Sequence, residues 1–444
     1  MKRAVPLTPV QRMALDSQRN IAVTASAGAG KTATLVERYI ELLRQHPEIG
    51  VRQVLAITFT QKAAAEMRER IARRLTDALD QELPEPERQR LRQIREDLPA
   101  ARISTIHAFC AALLREYPIE ADVDPAFAVL EGVDAAQLRQ QAVRQTLESL
   151  ARAHDTDPDK EALRRTLAEW PRRYLEQVLE YLLEKKHLAR TWCRRYAEQS
   201  PDQILSDWRG MQQAACVPAC QALLNDTQFT AMLAELAALS PLTDERDSAV
   251  ERLNPLRDSM RRLGQAPSPD EAIEILPRLA EGLLTNGKPL SGSRLGKKSN
   301  WEEATLTRVR ELVPALGRYL APHADLLSLE LSAADERAAA VLPALSRVFF
   351  KVDARYENSK GNGSMLDMDD LLEKTHQLIA ADADIRHRLA QHYRFALIDE
   401  FQDTDPLQWK IIRTLTSPDG QMDCDKLFIV GDPKQSIYSF RAAD

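Results

Sequence analysis

The apolar run Ile21-Ala-Val-Thr24 passes straight into Ala25-Ser26-Ala27-Gly28-Ala29-Gly30-Lys31-Thr32, and a stretch with helical spacing follows. Strand, glycine loop and helix in that order point to an α/β fold with the loop at the carboxyl edge of a parallel sheet. A polyphosphate carries several negative charges. A tight loop receives it by turning successive backbone N–H groups inward while the helix N-terminus adds the positive end of its dipole. Gly28 and Gly30 supply the backbone freedom, Lys31 is placed to reach the β- and γ-phosphates, and the Thr32 hydroxyl to ligate a phosphate-bound Mg²⁺. Ala25 stands where the usual pattern has its first glycine. A glycine turn without a ligand is the alternative, and the Lys31-Thr32 pair argues against it.

A second element lies far along the chain. Phe395-Ala-Leu-Ile398-Asp399-Glu400 is an apolar run ending in two carboxylates, the way a buried parallel strand delivers acids to a sheet edge. Asp399 would hold Mg²⁺, directly or through water, and Glu400 would accept a proton from the water attacking a γ-phosphate. Acidic pairs after apolar strands are common, so this pair gains its meaning from the loop at Lys31.

A chain of 444 residues exceeds what one hydrophobic core usually supports, so at least two domains are expected. With Lys+Arg 60 against Asp+Glu 66, net charge does not announce a nucleic-acid binder, and local placement must carry that argument. Met1-Lys-Arg-Ala-Val-Pro6 has no apolar stretch behind it and no run approaches a membrane span, so a cytoplasmic protein is expected. Cys110, Cys193, Cys216, Cys220 and Cys424 are scattered, as suits reduced thiols. Cys216 and Cys220 have chelating spacing but no second pair or His, so they are read as helix thiols.

Strand candidates Ile21–Thr24, Val54–Phe59 and Arg102–Ile106 alternate with helical stretches Thr32–Leu43 and Lys62–Leu79. Arg68, Arg70, Arg73 and Arg74 on the second stretch read as a solvated face. Helical periodicity then dominates, as in the stripe Tyr174, Leu175, Val178, Leu179, Leu182, Leu183, with proline breakers between pieces. The Gly/Ser/Lys-rich segment 290–299 reads as an exposed flexible loop. Past Tyr393 the α/β pattern returns: a strand to Ile398, a helix capped by Asp405 with Pro406 at its first position, and a strand over Lys426–Val430. The expected architecture is an α/β parallel-sheet core, residues 1–130 and 392–444, interrupted by a large all-helical insertion at 131–391. The insertion lets Lys31 and Asp399 meet in space.

Other segments report what the nucleotide is used for. Thr58-Phe59-Thr60 sits where a strand runs into a helix, so Phe59 would be presented for base stacking or be a core aromatic, and Thr60 with the helix N-terminus can hold phosphate. Ser104-Thr105-Ile-His107 repeats that arrangement. Thr105 and His107 would contact phosphate or backbone, or His107 would be a satisfied core histidine, without a Cys or Asp at ligand spacing. In Val430-Gly431-Asp432-Pro-Lys434-Gln435-Ser-Ile-Tyr438-Ser-Phe440, Gln435 could sense a γ-phosphate while Tyr438 and Phe440 stack on bases.

Together these segments resemble the UvrD/Rep superfamily 1 of DNA helicases, and within it the AddA/RecB helicase–nuclease branch. The carrying motifs are Leu7-Thr-Pro-Val-Gln11, ASAGAGKT at 25–32, TFTQKAAAEM at 58–67, STIHAFC at 104–110, LIDEFQDT at 397–404 and VGDPKQSIYSFRAAD at 430–444. The resemblance implies a RecA-like core that uses ATP and Mg²⁺. By it Gln11 contacts the adenine, residues 25–32 the phosphates, Asp399 the metal and Glu400 the water. Gln435 would couple the γ-phosphate to DNA, and Phe59, Tyr438 and Phe440 would stack on single-stranded bases. Leu366-Asp-Met-Asp-Asp-Leu371 is similar to a short acidic segment of the family, and the helical insertion corresponds to its accessory domain. The implied activity is ATP-dependent 3′ to 5′ helicase action on single-stranded DNA and DNA ends in repair and recombination, with an AddB- or RecC/RecD-like second subunit. A second RecA-like domain with transition-state arginines would follow the last motif, so the chain is expected to be an N-terminal portion. The alternative is an ATP- and DNA-binding module without turnover. A P-loop small-molecule kinase would leave the aromatic segments unexplained.

Overall fold

The computed structural model describes residues 8–26, 30–243, 247–265, 268–327, 331–361, 363–420, 425–432 and 434. Gln435, Tyr438 and Phe440, like Ala27, Gly28 and Ala29 of the loop, lie outside the described residues. The chain divides into two compact units. One takes Met1–Ala153, Arg172–Thr191 and Phe349–Asp444, the other His154–Pro171 and Trp192–Val348.

The first unit holds a sheet of five parallel strands: β1 (Ile21–Thr24), β2 (Val54–Thr58), β3 (Arg102–Thr105), β4 (Phe395–Ile398) and β5 (Leu427–Gly431), in the order β1-β5-β4-β2-β3. Residues 131–391 are not all-helical as expected: Met365–Leu366 pairs in parallel with Ala128–Val129, and Leu284–Thr285 pairs antiparallel with Lys288–Pro289. Register is close throughout: Thr24 faces Gly431, Ile57 faces Ile398 and Thr58 faces Thr105. Every residue of β2 and β4 is buried, as a central strand covered on both faces requires, whereas β1 alternates between half-buried and exposed. The two-residue period sorts these strands into two cores. Val54, Ala56, Phe395 and Leu397 pack with helices Lys31–Gln45 and Gln61–Leu79. Leu55, Ile57, Ala396 and Ile398 pack with helices Ile106–Glu116, Met368–Ala381 and Pro406–Thr416.

Two expectations need correction here. Phe59 and Ile106 are not strand residues, because Thr60 and Thr105 cap the following helices by accepting from Ala63 and Ala108 N–H, which ends each strand early. The arginines of helix Gln61–Leu79 are not all solvated: Arg68 donates to the Ile103 carbonyl and Arg74 pairs with Glu37, tying this helix to β3 and to helix Lys31–Gln45.

Within the second unit, Phe229, Leu276, Leu312 and Leu316 are fully or almost fully buried in one core between helices. Segment 290–299 is not the wholly exposed loop expected. Gly292 and Leu295 are buried, Arg310 donates to the Leu295 and Gly296 carbonyls at 2.8 and 3.0 Å, and a Cβ at Gly292 would lie 1.9 Å from the Arg310 carbonyl oxygen. Cys216 and Cys220 are buried on helix Pro201–Asn225, and the described cysteines form no disulfide. Among the described residues no group of three or more His, Cys, Asp or Glu is arranged around a metal ion, and no helix is long and apolar enough to cross a membrane.

Candidate functional site

All five strands of this sheet end at one edge, and Ala25, Phe59, Ile106, Asp399 and Asp432 stand immediately beyond those ends. The edge is where open parallel sheets bind ligands, because strand ends and helix N-termini converge there. At the end of β1 the Ala25 N–H donates to the Gly431 carbonyl at 3.2 Å; at the end of β4 the Asp399 N–H donates to the Ile57 carbonyl at 2.9 Å. Both bonds extend the ladder one step, so Ala25 and Asp399 are fastened to the sheet.

Gly30 caps helix Lys31–Gln45 at φ 83°, ψ 24°, the left-handed region that favours glycine, and a Cβ there would sit 2.9 Å from Gln11 Nε2. The missing side chain therefore sets the turn and admits Gln11 over it. Gln11 is held from its own side: Thr8 N–H donates to Gln11 Oε1 at 2.9 Å and Gln11 N–H to Thr8 Oγ1 at 3.3 Å, a capping box on helix Pro9–Met13. A cavity of about 670 Å³ opens here, lined mainly by apolar and aliphatic groups of residues 8–25 together with Lys31 and Thr34.

Lys31 Nζ lies 3.2 Å from Glu400 Oε2, across 369 residues of sequence, and its side chain is only 9% exposed. This contact unites the two motif groups. Glu400 adopts φ 49°, ψ 48°, a left-handed conformation that costs a non-glycine residue about 1 kcal/mol or more and turns the chain sharply off the strand. Burial, and next the charge of Glu400, push the Asp399 carboxyl up to about 6, against the Glu400 N–H bond and Lys31, which act to lower it. A carboxylate pressed in this way gains from a divalent cation. Asp399 and the Thr32 hydroxyl, on the second residue of helix Lys31–Gln45, are hard-oxygen donors of the kind that would hold Mg²⁺.

Gln402 is a residue that motif reading passed over. Buried at 8% exposure, it donates from Nε2 to Glu400 Oε2 at 2.7 Å and accepts at Oε1 from the Asp432 N–H at 2.9 Å. Gly431 makes room for it, since a Cβ there would meet Oε1 at 2.8 Å. One planar amide thus joins the acid pair to the first residue after β5. The usable signal was an amide two positions past the acids in the turn that Glu400 opens.

On the same edge Phe59 follows β2 at 36% exposure, a large apolar ring at the surface. The Thr60 and Thr105 hydroxyls accept from helix N–H groups at 3.0 and 3.3 Å, which leaves each hydroxyl proton as a donor. His107 is half-buried and lines a cavity of about 370 Å³ with Arg139, Lys185, His187, Asp369 and Asp405.

The acidic segment 366–371 has a structural task. Lys186, with no exposed side-chain surface, lies 2.8 Å from Asp367 and 3.0 Å from Glu357 and also contacts Asp370. Lys360 shares all three carboxylates, and Arg190 binds Asp353, Glu357 and Glu373. Burial opposes the Lys186 cation, but these carboxylates outweigh it and raise its pKa. Asp367 also caps helix Met368–Ala381, which packs on helices Ile106–Glu116 and Pro406–Thr416.

The profile described as UvrD/REP helicase N-terminal domain matches residues 7–241 and 315–444. Among curated proteins the chain is similar to the A subunit of the ATP-dependent helicase/nuclease of Natranaerobius thermophilus, 29% identical over 474 positions covering 98% of this chain and 34% of that protein. Proteins of the same name from Limosilactobacillus fermentum (30%, 97% of this chain, 33% of that protein) and Listeria monocytogenes (27%, 100% and 36%) align in the same way. The chain spans about a third of the length of these relatives. With Lys31 and Glu400 in contact at one sheet edge, and with the profile covering most of its length, the chain belongs to the UvrD/REP helicase N-terminal domain family.

Proposed function

We propose that this chain is the ATP-binding part of a DNA helicase that moves 3′ to 5′ along single strands in repair and recombination. The 3.2 Å contact between Lys31 and Glu400 carries the reading, because it gives one site both a phosphate-binding cation and a water-activating carboxylate. Lys31 and the N–H groups of residues 25–32 bind the phosphates of ATP, with Gln11 at the adenine. Mg²⁺, when bound, would offset the charge that builds on the phosphates. Thr32 and Asp399 are the residues that would hold it. Glu400, oriented by Lys31 and Gln402, offers a carboxylate oxygen to the proton of the attacking water.

Phe59, Tyr438 and Phe440 stack on unpaired bases, while Thr60, Thr105 and His107 hold the strand's phosphates. Gln435 reads the γ-phosphate, and the Gln402 bridge to Asp432 gives it a route back to Glu400. Within residues 131–391, between core segments 1–130 and 392–444, the second unit, His154–Pro171 and Trp192–Val348, supplies the accessory helical insertion, while helix Met368–Ala381 serves the sheet core. DNA ends are the substrate and an AddB-like or RecC/RecD-like protein the partner, in keeping with relatives that are named as one component of a helicase/nuclease.

ATPase rate and ATP affinity, each measured with and without oligo-dT, test the proposal. Single-stranded DNA is expected to raise one or both, Lys31→Ala to abolish nucleotide binding, and Phe59→Ala to remove the DNA response alone. Intact binding of ATP and DNA with negligible turnover would assign the chain the binding half of the reaction. No DNA effect on either quantity would sink the proposal.

A further inference from the structure

Behind the cavity at Gln11 lies a charged group that the family motifs do not use. Arg38, on helix Lys31–Gln45, is 1% exposed. Its Nη1 donates to the Ala14 carbonyl at 3.3 Å, its guanidinium carbon lies 5.4 Å from the centre of the Phe428 ring on β5, and its Nε is buried without a hydrogen-bond partner among the described residues. Asp16 is the carboxylate whose charge favours the cation, while burial, the larger effect, pulls its pKa down to about 10. A cation so placed contributes little to stability, and replacing it by an apolar chain of similar volume is often neutral or better.

What Arg38 does hold is the cavity wall. Ala14 is the C-cap of helix Pro9–Met13, which carries Gln11, and Ala14 and Asp16 themselves line the cavity. The same segment is fastened twice more. Ser17 donates to Gln45 Oε1 at 2.6 Å at the far end of Arg38's helix, and Asn20 Oδ1 accepts from the Leu427 N–H at 2.7 Å at the start of β5. Residues 8–20 thus form an outer flap pinned to the phosphate-loop helix and to β5. Of the three pins, Arg38 is the one next to the helix that presents Gln11.

We propose that Arg38 is a positioning residue for the base-side wall of the nucleotide site: by holding Ala14 it fixes Gln11 above Gly30, and so governs selection of adenine rather than grip on the phosphates. This rests on the nucleotide-site reading above. The two sides of the site separate physically, because the phosphates are met at Lys31, which contacts Glu400 just past β4, and after Ala25, which is bonded to Gly431, whereas the base is met by the flap.

The test compares binding of Mg·ATP, Mg·GTP and Mg·tripolyphosphate to the wild type, Arg38→Met and Arg38→Lys, by competition with a fluorescent nucleotide. Arg38→Met is expected to weaken ATP about tenfold or more and erase its preference over GTP, while tripolyphosphate changes by less than about twofold. Arg38→Lys, which keeps a donor for Ala14, should recover part of the ATP preference. Equal weakening of ATP and tripolyphosphate, or unchanged ATP affinity, overturns the proposal. Should Arg38→Met fail to fold, the ratio of ATP to tripolyphosphate affinity in Arg38→Lys decides: a selective loss on ATP supports it and an unchanged ratio overturns it. A wild type that binds tripolyphosphate as tightly as ATP would instead defeat the nucleotide-site reading itself.

Discussion

Replacing Asp399 by asparagine removes a charge that the fold holds at a disadvantage. The carboxyl rises from its ordinary 3.8 to about 6, and each tenfold step in proton affinity is worth about 1.4 kcal/mol, so the ionised group opposes folding by about 3 kcal/mol. The sign follows from proton counting. Below about pH 4 both folded and unfolded chains hold the proton and the penalty is absent; between 4 and 6 only the folded chain holds it, so stability falls as pH rises; above 6 the full penalty applies. The asparagine side chain keeps the size and an acceptor oxygen without the charge. Without metal or nucleotide, Asp399→Asn should therefore be up to about 3 kcal/mol more stable than the wild type at pH 8, a rise of roughly 6–12 °C in melting temperature, and nearly equal to it at pH 4. Thermal unfolding in EDTA across pH 4–8 reads this directly, and the same variant should lose Mg²⁺-dependent nucleotide affinity. A gap that does not change with pH, or a variant less stable at pH 8, refutes the argument that Asp399 is a strained anion kept for a cation.

Gln402→Leu withdraws the acceptor of the Asp432 N–H and a donor to Glu400, so it should cost roughly 1–3 kcal/mol and speed hydrogen exchange at residue 432. Unchanged exchange there would disprove the bridge. Lys186→Met leaves buried carboxylates short of a cation and should cost roughly 3–5 kcal/mol in urea unfolding. Adding Asp370→Asn should restore part of that loss, and strictly additive effects would show that the two groups do not share one network.

The sheet was legible because buried parallel strands are uninterrupted apolar runs, and each here ends at a motif whose chemistry needs a strand end. Lys31, Asp399 and Glu400 could be joined on chemical grounds before any coordinates, as a phosphate cation without acids, or acids without a loop, has no partner in hydrolysis. Strand boundaries slipped by one residue at Phe59 and Ile106 because capping threonines compete with strand continuation, a contest that propensity does not resolve. Lys186 shows the harder limit. It falls on the buried stripe with Ala189, Cys193 and Tyr196, yet a helical lysine reads as solvated until Asp367 and Asp370, 181 and 184 residues later, arrive beside it. Segment 290–299 misled by composition: Gly292 admits the Arg310 backbone, and Gly296 takes a left-handed φ beside Leu306 and Trp301.

The strand order has a cost during synthesis. Among the described strands β1 pairs only with β5, and β2 has one neighbour, β3, until β4 is made, so the first three strands to leave the ribosome cannot close into the sheet. At roughly 5–20 residues per second, the wait between β2 and β4 lasts roughly 20–70 s. Throughout it the backbone of Ile21–Thr24 and one edge of Val54–Thr58 stay open to stray pairing. Nascent chains of this protein should therefore depend on holding chaperones until the acids at 399 and 400 emerge, and the polyphosphate pocket is among the last parts of the sheet-bearing unit to form.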